Sequence, residues 1–254
     1  MDERMTVPAL QAMKPEGRKI TGVVAWDFQI ARIVDRAGVD IVSVGDTVGI
    51  NLWGREDPLD VTLDEMVVVC SAVRRGVKRA LVSCDFPYGP LQAGPDAAVR
   101  AAVRLVEEGG ADLVKLDGAA DFPDAVAAVA RAGIPVFAQF GETPQTGERP
   151  QTADVLVAQA KQLAAAGASL LDFTQSGPDA GPKVVDAVSI PVLGGLGGGP
   201  WLDGRMRMIH RAIGYSASAL DDPPDAYANV AQITYDAITA YAGDVRAGRQ
   251  IRGA

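Results

Sequence analysis

The sequence predicts an α/β protein, namely a (β/α)8 TIM barrel that forms a single domain. Eight short apolar segments have the near-continuous hydrophobic character of parallel strands that are buried on both faces. Alanine-rich helical patterns such as DAAVRAAVRLVEEG separate these segments, and strand–helix alternation at this spacing is typical of the barrel. A doubly wound open sheet is the alternative. The count of eight segments and the absence of a GxGxxG motif after the first one favour the barrel.

The predicted strands follow one another through the whole chain. In order they lie in KITGVVAW, DIVSVGD, RALVSCD, ADLVKLDG, IPVFAQFG, ASLLDFTQ, SIPVLGG and a weak final GYSASA. Several of these segments begin just after a glycine that suits the left-handed end of a helix. Before the last one, the segment DGRMRMIHRAIGY carries Met206, Ile209 and Ile213 at helical spacing, which predicts a helix. We expect one domain over residues 1–254, with a short N-terminal extension over residues 1–18.

Composition narrows the class of protein. The formal net charge is −8, and the chain lacks the lysine and arginine cluster that phosphate binding requires, so we expect no nucleic-acid partner. No apolar run approaches the roughly 18–20 residues that span a bilayer, so we expect no membrane partner. Two cysteines and no signal sequence indicate a reduced, cytoplasmic protein. The single histidine, His210, excludes a multi-histidine zinc site, and we interpret it as a packed or capping residue.

Polar side chains occur near the carboxyl ends of successive predicted strands, which form the catalytic mouth of a barrel. They are Asp46, Asp85, Lys115, Asp117, Gln139, Asp172 and Thr174. Asp46 and Asp85 lie on neighbouring strands and would repel each other unless a cation lay between them. Carboxylate oxygens suit Mg²⁺, and strand parity directs Lys115 and Asp117 inward beside such an ion. We therefore predict a Mg²⁺ site, with a structural Asp–Lys ion pair as the alternative.

Two further features have two interpretations each. The glycine-rich run 194–199, after the seventh strand, fits either a phosphate-binding loop or a close backbone turn. It is not a dinucleotide motif, because Pro200 occupies the third required glycine position. Trp53, in the long loop after the second strand, fits either a lid or simple loop packing.

Several motifs, taken together and in order, resemble those of the ketopantoate hydroxymethyltransferase family, within the phosphoenolpyruvate mutase/isocitrate lyase superfamily. They are VGDTVG, VTLDEM followed by AVRRG, CDFPYG, GGADLVKLDG and GETPQT. The resemblance implies a (β/α)8 barrel in which Mg²⁺ is chelated by the keto and carboxylate oxygens of a 2-oxo acid. It implies metal binding by Asp46, Asp85 and Asp117, and substrate binding by Thr47 and Lys115.

The resemblance also implies a reaction. Family members remove a proton from the carbon next to the ketone and add a hydroxymethyl unit from 5,10-methylenetetrahydrofolate. Lys115 and Mg²⁺ would stabilise the enolate by direct electrostatics. Asp46, Asp85 and Gln139 would also border the substrate. Because family members assemble into oligomers, we expect a homo-oligomer.

Two positions depart from the family pattern on the proton-transfer side. Thr174 aligns with the general-base glutamate of the family, and a threonine hydroxyl has no useful basicity near neutral pH. Gln139 aligns with a histidine and cannot take a proton. Asp172 and Glu142 are candidate replacement bases. The alternatives are a core salt bridge for Asp172 and a solvated loop acid for Glu142.

The leading hypothesis is a Mg²⁺-dependent, hydroxymethyltransferase-like enzyme that forms a carbon–carbon bond next to the carbonyl of a 2-oxo acid. The acid would be 3-methyl-2-oxobutanoate or a related compound, and the reaction would pass through a metal-stabilised enolate. One alternative is a superfamily lyase or hydrolase that cleaves a carbon–carbon bond of an oxo- or hydroxy-dicarboxylate. Another is a catalytically silent homologue with a binding or assembly role.

Overall fold

Eight parallel strands close into a barrel in the computed structural model of this protein, which describes residues 4–57, 60–142, 151–195 and 197–253. The strands are β1 (Ile20–Val24), β2 (Ile41–Val44), β3 (Leu81–Phe86), β4 (Leu113–Leu116), β5 (Val136–Gly141), β6 (Leu170–Thr174), β7 (Val192–Gly194) and β8 (Gly204–Met208). Their spatial order around the barrel is their order along the chain. This arrangement confirms the predicted (β/α)8 TIM barrel.

Helices begin at positions that the local sequence favours. They are α1 (Val7–Met13), α2 (Phe28–Arg36), α3 (Val48–Asn51), α4 (Leu63–Gly76), α5 (Tyr88–Gln92), α6 (Pro95–Glu107), α7 (Pro123–Arg131), α8 (Ala153–Ala165), α9 (Ala180–Ala187), α10 (Ile209–Ile213) and α11 (Val230–Arg246). At the start of α4, Thr62 and Glu65 accept each other's backbone N–H groups in a capping box. Proline occupies the first position of α6 and α7, where its missing N–H costs no hydrogen bond.

One inward-facing residue of each strand contributes to an apolar cluster at the amino-terminal end of the barrel, here called the apolar plug. Its members are Ile20, Ile41, Leu81, Leu113, Phe137, Leu170, Leu193 and Met206, with Leu10 and Met13 from α1. An ion pair of 3.0 Å between Lys14 and Asp203 connects the end of α1 to the residue before β8. The plug fills this end of the interior, so a small-molecule site is confined to the carboxyl-terminal mouth.

The next inward-facing position of each strand from β1 to β7 forms what is here called the polar layer. Its members are Gly22, Ser43, Ser83, Lys115, Gln139, Asp172 and Gly195. A Cβ atom on Gly22 would lie 2.0 Å from Sδ of Met206, so this glycine makes room for a side chain of the plug. Several of these residues pair across strands with members of the plug, as Ser83 does with Leu113 and Lys115 with Phe137, and their polar groups need partners inside the barrel.

The end of the barrel differs from the prediction. The eighth strand is GRMRM (Gly204–Met208) rather than GYSASA, where Gly214 ends α10 in a left-handed conformation and a 3-10 turn follows. In GRMRM, Met206 is buried and the two arginines are exposed, and this period of two is typical of a strand. The helix predicted across DGRMRMIHRAIGY was therefore wrong in its first half and begins at Ile209. His210 is buried, as predicted.

The chain divides into two compact units, one that ends at Arg207 and one that begins at Met208. The second unit contains α10, the 3-10 turn and α11, whose first turn is capped by the side chain of Asn229. Helix α11 exposes the large apolar side chains Ile233, Tyr235, Ile238, Tyr241 and Val245. The single domain over residues 1–254 stays a prediction. Within the described residues, no helix is long and apolar enough to cross a membrane.

Asp35 connects α2 to the start of β3, and we expect its loss to destabilise the barrel. Its carboxylate accepts the backbone N–H groups of Lys78, Arg79 and Ala80 over 2.8–3.0 Å. Asp35→Ala should lower the free energy of unfolding by about 3 kcal/mol, because these groups lose a charged acceptor. Urea denaturation measures the change. Asp186→Ala, on the exposed face of α9, is the control and should change stability by less than about 0.5 kcal/mol. Equal effects of the two variants would contradict this account.

Candidate active site

Three carboxylates converge with one lysine at the mouth of the barrel. Asp85 and Lys115 are register partners on β3 and β4, and Asp117 follows β4 on the same side as Lys115. Asp46 follows β2, which pairs with β3. One ligand atom from each of Asp46, Asp85 and Asp117 lies within 4.8 Å of the others. The structure therefore brings together the three residues predicted to bind metal, here called the aspartate triad.

One oxygen of the aspartate triad has no partner. The backbone N–H of Asp46 donates to Oδ2 of Asp85 over 3.4 Å. Oδ1 of Asp85 is buried and has no hydrogen-bond partner among the residues that the structure describes. A buried carboxylate oxygen without a partner costs free energy. This atom is therefore placed to receive a cation or a hydrogen-bond donor.

Lys115 is a positive charge shared by three carboxylates. Its Nζ donates a short hydrogen bond to Asp117, and it lies 3.4 Å from Oδ2 of Asp85 and 3.8 Å from Oδ2 of Asp172. Burial alone would lower the pKa of Lys115, but the charges of Asp117, Asp85 and Asp172 outweigh burial and raise this pKa well above its ordinary value. Lys115 is therefore an ammonium ion at neutral pH, which suits electrostatic stabilisation and not proton abstraction.

The acids of the triad resist ionising together. Burial, and then the charge of Asp117, raises the pKa of Asp46 to about 7, although Lys115 acts in the opposite direction. Burial also raises the pKa of Asp85 well above its ordinary value despite the nearby Lys115. One ammonium ion thus leaves negative charge uncompensated. Oxygen donors at this spacing, one of them without a partner, fit a hard divalent cation such as Mg²⁺.

Asp172 and Gln139 form a second buried polar pair, in the polar layer. They are register partners on β6 and β5. Nε2 of Gln139 donates to Oδ2 of Asp172 over 3.2 Å, and the N–H of Gly195 donates to Oδ1 over 2.9 Å. Burial raises the pKa of the Asp172 carboxyl, against the effect of Lys115. Both oxygens of Asp172 are therefore oriented by hydrogen bonds, and the carboxylate is more basic than an exposed aspartate.

Thr174, at the end of β6, is hydrogen-bonded to the backbone of β5 and of the residue that follows β5. Its hydroxyl lies 3.1 Å from the backbone oxygen of Phe140 and is also hydrogen-bonded to that of Glu142. The hydroxyl has a single hydrogen, which it can donate to only one of these acceptors at a time. It is therefore already engaged in hydrogen bonding to the backbone. The side chain of Glu142 is exposed, whereas Asp172 lies beside Lys115. The remainder of the GETPQT motif, residues 143–146, lies outside the described residues.

The loop after β2 borders the aspartate triad. Thr47 precedes α3, and a Cβ on Gly45 would lie 2.8 Å from its Oγ1, so the glycine leaves space for this hydroxyl. The guanidinium of Arg55 lies 4.8 Å from the ring centre of Trp53 and pairs with Glu65 on α4. Substrate binding by Thr47 and a lid that includes Trp53 both stay predictions.

Close packing accounts for glycine in the described part of the run after β7. A Cβ on Gly199 would lie 2.4 Å from the ring of Trp201. Gly197 has a φ of 76°, and a Cβ there would lie 2.8 Å from the side chain of Gln175. Leu196 lies outside the described residues. These contacts favour the close backbone turn over the phosphate-binding loop.

The sequence interpretation missed two serines of the polar layer. Ser43 and Ser83 are buried register partners on β2 and β3. Ser83 lies two residues before Asp85 and therefore faces the same side of the strand. Ser83 could therefore have been identified in the sequence, because Asp85 is a predicted metal ligand.

Comparisons with known proteins agree with this geometry. The family model described as Ketopantoate hydroxymethyltransferase matches residues 4–250. A 3-methyl-2-oxobutanoate hydroxymethyltransferase from Flavobacterium johnsoniae is 35% identical over 96% of this chain and 93% of its own length. A protein of the same name from Anaeromyxobacter dehalogenans is 37% identical over 96% of this chain and 84% of its own length.

Solved structures share the fold at much lower identity. A 2,3-dimethylmalate lyase, described as a PEP mutase/isocitrate lyase superfamily member, has a TM-score of 0.64 and 16% identity, covering 87% of this chain and 85% of its own. A phosphonopyruvate hydrolase in complex with oxalate and Mg²⁺ has a TM-score of 0.66 and 14% identity, with 96% and 89% covered. These likenesses show the fold alone. The match over residues 4–250 and the relatives above 30% identity show that this chain belongs to the ketopantoate hydroxymethyltransferase family, a family of enzymes.

Proposed function

We propose that this protein transfers a hydroxymethyl group to the carbon next to the carbonyl of a 2-oxo acid, and that it requires Mg²⁺. The observation that carries the proposal is the aspartate triad, with Lys115 in contact with two of its members. Family membership supports the hydroxymethyl group as the unit transferred. The names of the relatives make 3-methyl-2-oxobutanoate the reference substrate, and 5,10-methylenetetrahydrofolate is the proposed donor.

The aspartate triad would hold the ion. Each of its carboxylates offers one oxygen, and Mg²⁺ usually keeps further positions for water and substrate oxygens. When bound, Mg²⁺ supplies Lewis-acid polarisation of the substrate carbonyl. The triad thereby fixes where the 2-oxo acid binds, next to Lys115.

Lys115 is proposed to stabilise the negative charge that develops on the carbonyl oxygen as the neighbouring carbon loses its proton. Its ammonium group is already oriented by Asp85, Asp117 and Asp172, so little reorganisation accompanies the reaction. One preorganised donor of this kind contributes about 3 kcal/mol to transition-state stabilisation.

Asp172 is the proposed base that takes this proton. Its buried carboxylate is oriented by Gln139 and Gly195, and burial raises its pKa. The hydroxyl of Thr174 is tied to backbone oxygens, and the side chain of Glu142 is exposed. After transfer, the proton lies on a carboxyl oxygen of Asp172, which is then neutral.

We also infer the oligomeric state and the cellular compartment of the protein. The exposed apolar side chains of α11 support a homo-oligomer, because such side chains in number on one helix are typical of an interface. Cys70 and Cys84 are buried and free, which supports the reducing, cytoplasmic compartment expected from the sequence.

Deuterium exchange tests the proposed reaction directly. With Mg²⁺ in D2O, the protein should exchange the C3 protons of 3-methyl-2-oxobutanoate or a related 2-oxo acid, followed by NMR. Asp85→Asn should slow this exchange by more than about 100-fold, because it removes one ligand of the ion. A hydroxymethylated product should accumulate when 5,10-methylenetetrahydrofolate is added. The proposal would be contradicted if none of a panel of 2-oxo acids showed Mg²⁺-dependent exchange. Cleavage of an oxo- or hydroxy-dicarboxylate without folate would favour the lyase alternative.

The effect of Mg²⁺ on thermal stability should depend on pH. In the folded protein the pKa of Asp46 is raised from 3.8 to about 7, so its contribution to stability is present below pH 3.8 and lost as pH rises through 7. Without Mg²⁺, Tm should therefore fall between about pH 5 and pH 7.5. Added Mg²⁺ should raise Tm more at pH 7.5, where it meets ionised carboxylates.

Asp46→Asn serves as the matched variant in this thermal-shift experiment. It removes a partly buried charge, so its Tm without Mg²⁺ at pH 7.5 should equal or exceed that of the wild type. Its shift with Mg²⁺ should be smaller. A larger Mg²⁺ shift at pH 5 than at pH 7.5, or an unchanged shift in the variant, contradicts binding of the ion by Asp46.

Two substitutions on β6 separate the candidate bases. Asp172→Asn should slow C3 exchange by about 10²- to 10⁴-fold, the usual contribution of a general base. Thr174→Val should slow it by less than about tenfold, because its hydroxyl bonds to backbone oxygens. Calorimetry should show Mg²⁺ affinity within a few-fold of the wild type for both variants. Equal losses of exchange would show that Asp172 has no special role.

A further inference from the structure

The floor of the candidate active site is polar. Five of the seven positions of the polar layer carry polar or charged side chains, and plug residues pair with several of the seven across strands. Lys115 and Asp172 occupy two of these positions and face the aspartate triad or each other. Ser43, Ser83 and Gln139 add three neutral polar side chains, all buried. Of these three, Gln139 donates to Asp172 and therefore lies nearest the charged groups of the site.

Two of these buried side chains carry a polar atom without a partner. Oγ of Ser83 and Oε1 of Gln139 have no hydrogen-bond partner in the described part of the chain. Ser83 is 0% exposed and Gln139 is 5% exposed, so bulk water does not reach them freely. Both side chains face the barrel interior, since they share strand parity with residues of the apolar plug. Such atoms point to a ligand that completes them.

The acceptor on Gln139 has a fixed direction. Its Nε2 donates to Oδ2 of Asp172, and an ionised carboxylate can only accept. Turning the amide around would place two acceptor oxygens against each other, which is unfavourable. Oε1 is thus held away from Asp172 and presents an acceptor to whatever fills the interior.

The side chain of the substrate decides whether Oε1 of Gln139 remains unpaired. The isopropyl group of 3-methyl-2-oxobutanoate has no donor, so packing it against Gln139 would leave Oε1 unsatisfied, at about 1–3 kcal/mol. A hydroxyl group can donate to Oε1 of Gln139. Sites built to hydrogen-bond a substrate hydroxyl reject the analogue that lacks it far more strongly than apolar pockets reject a missing methylene.

We infer that the 2-oxo acid used by this enzyme carries a hydroxyl group on its side chain, and that Oε1 of Gln139 binds this hydroxyl. The inference rests on the proposed function and specifies its substrate class. Gln139 thereby has two roles, orienting the Asp172 carboxylate through Nε2 and selecting the substrate through Oε1.

Matched pairs of 2-oxo acids test this specificity. 4-Hydroxy-2-oxobutanoate and 2-oxopentanoate differ by a hydroxyl in place of a terminal methyl, as do 5-hydroxy-2-oxopentanoate and 2-oxohexanoate. Dissociation constants with Mg²⁺ and rates of C3 exchange in D2O are measured without a one-carbon donor. The hydroxy acid should be favoured at least tenfold in the second pair. 4-Hydroxy-2-oxobutanoate is also what hydroxymethyl addition to pyruvate would give, so a preference confined to the first pair reflects product recognition and overturns the inference.

Substitutions assign the preference to the polar layer. Gln139→Met should reduce the preference for the hydroxy acid at least fivefold while affinity for the methyl analogue stays within about threefold. Gln159→Met on α8 is the control, because Oε1 of Gln159 is also buried without a partner in the described residues. It should leave the preference unchanged. A preference that survives Gln139→Met overturns the inference.

The outcomes separate this inference from the proposed function. If none of the four acids shows Mg²⁺-dependent binding or exchange, and 3-methyl-2-oxobutanoate shows none either, the proposed function fails with it. If the methyl analogues or 3-methyl-2-oxobutanoate exchange as well as the hydroxy acids, the proposed function stands and the inference is wrong.

Discussion

The ammonium group of Lys115 lies among three buried carboxylates, and the remainder of the site depends on this sharing of one charge. Without it, Asp85, Asp117 and Asp172 would bring like charges together where little water compensates them. The lysine thus fixes side chains from β3, β4 and β6 at once. Burial raises the pKa values of Asp46, Asp85 and Asp172, and one positive charge does not neutralise all the acids, so a divalent cation fits.

Local rules were sufficient to place the acids and the lysine of the site at the mouth of the barrel, and the family resemblance added Asp117 to the metal ligands. Asp85, Lys115 and Asp117 are placed by the period of two along a strand and by the position of the mouth, both of which can be seen in the sequence. The strand Gly204–Met208 was missed because Met206, Ile209 and Ile213 also match helical spacing, although the alternation in GRMRM is typical of a strand. Pairing with β7, a contact between segments, decides between the two patterns.

Thr174 and Gln139, which stand where proton-transfer groups were expected, show the same limit of sequence-based prediction more clearly. Comparison of motifs indicated that Thr174 and Gln139 lack the expected acid–base groups, yet it did not indicate how the barrel accommodates them. The hydroxyl of Thr174 bonds to backbone oxygens of β5 and the loop that follows, and the amide of Gln139 bonds to Asp172. Both partnerships are set by the register of β5 against β6, which no single segment contains. Parity could have placed Ser83 in the interior, but its missing partner depends on every neighbouring strand.

The charge balance of the site links the proposed base, Asp172, to the polar side chain beside it, Gln139. Burial raises the pKa of Asp172, so its ionised carboxylate lies in an environment that favours protonation. In the proposed reaction, a proton taken from the substrate would neutralise Asp172, while the negative charge would appear on the substrate near Lys115. Proton transfer would then be favoured by the same burial that opposes ionisation of Asp172. Because Gln139 donates to Asp172, a carbon close enough to lose its proton to the proposed base would also bring the substrate side chain near Oε1 of Gln139.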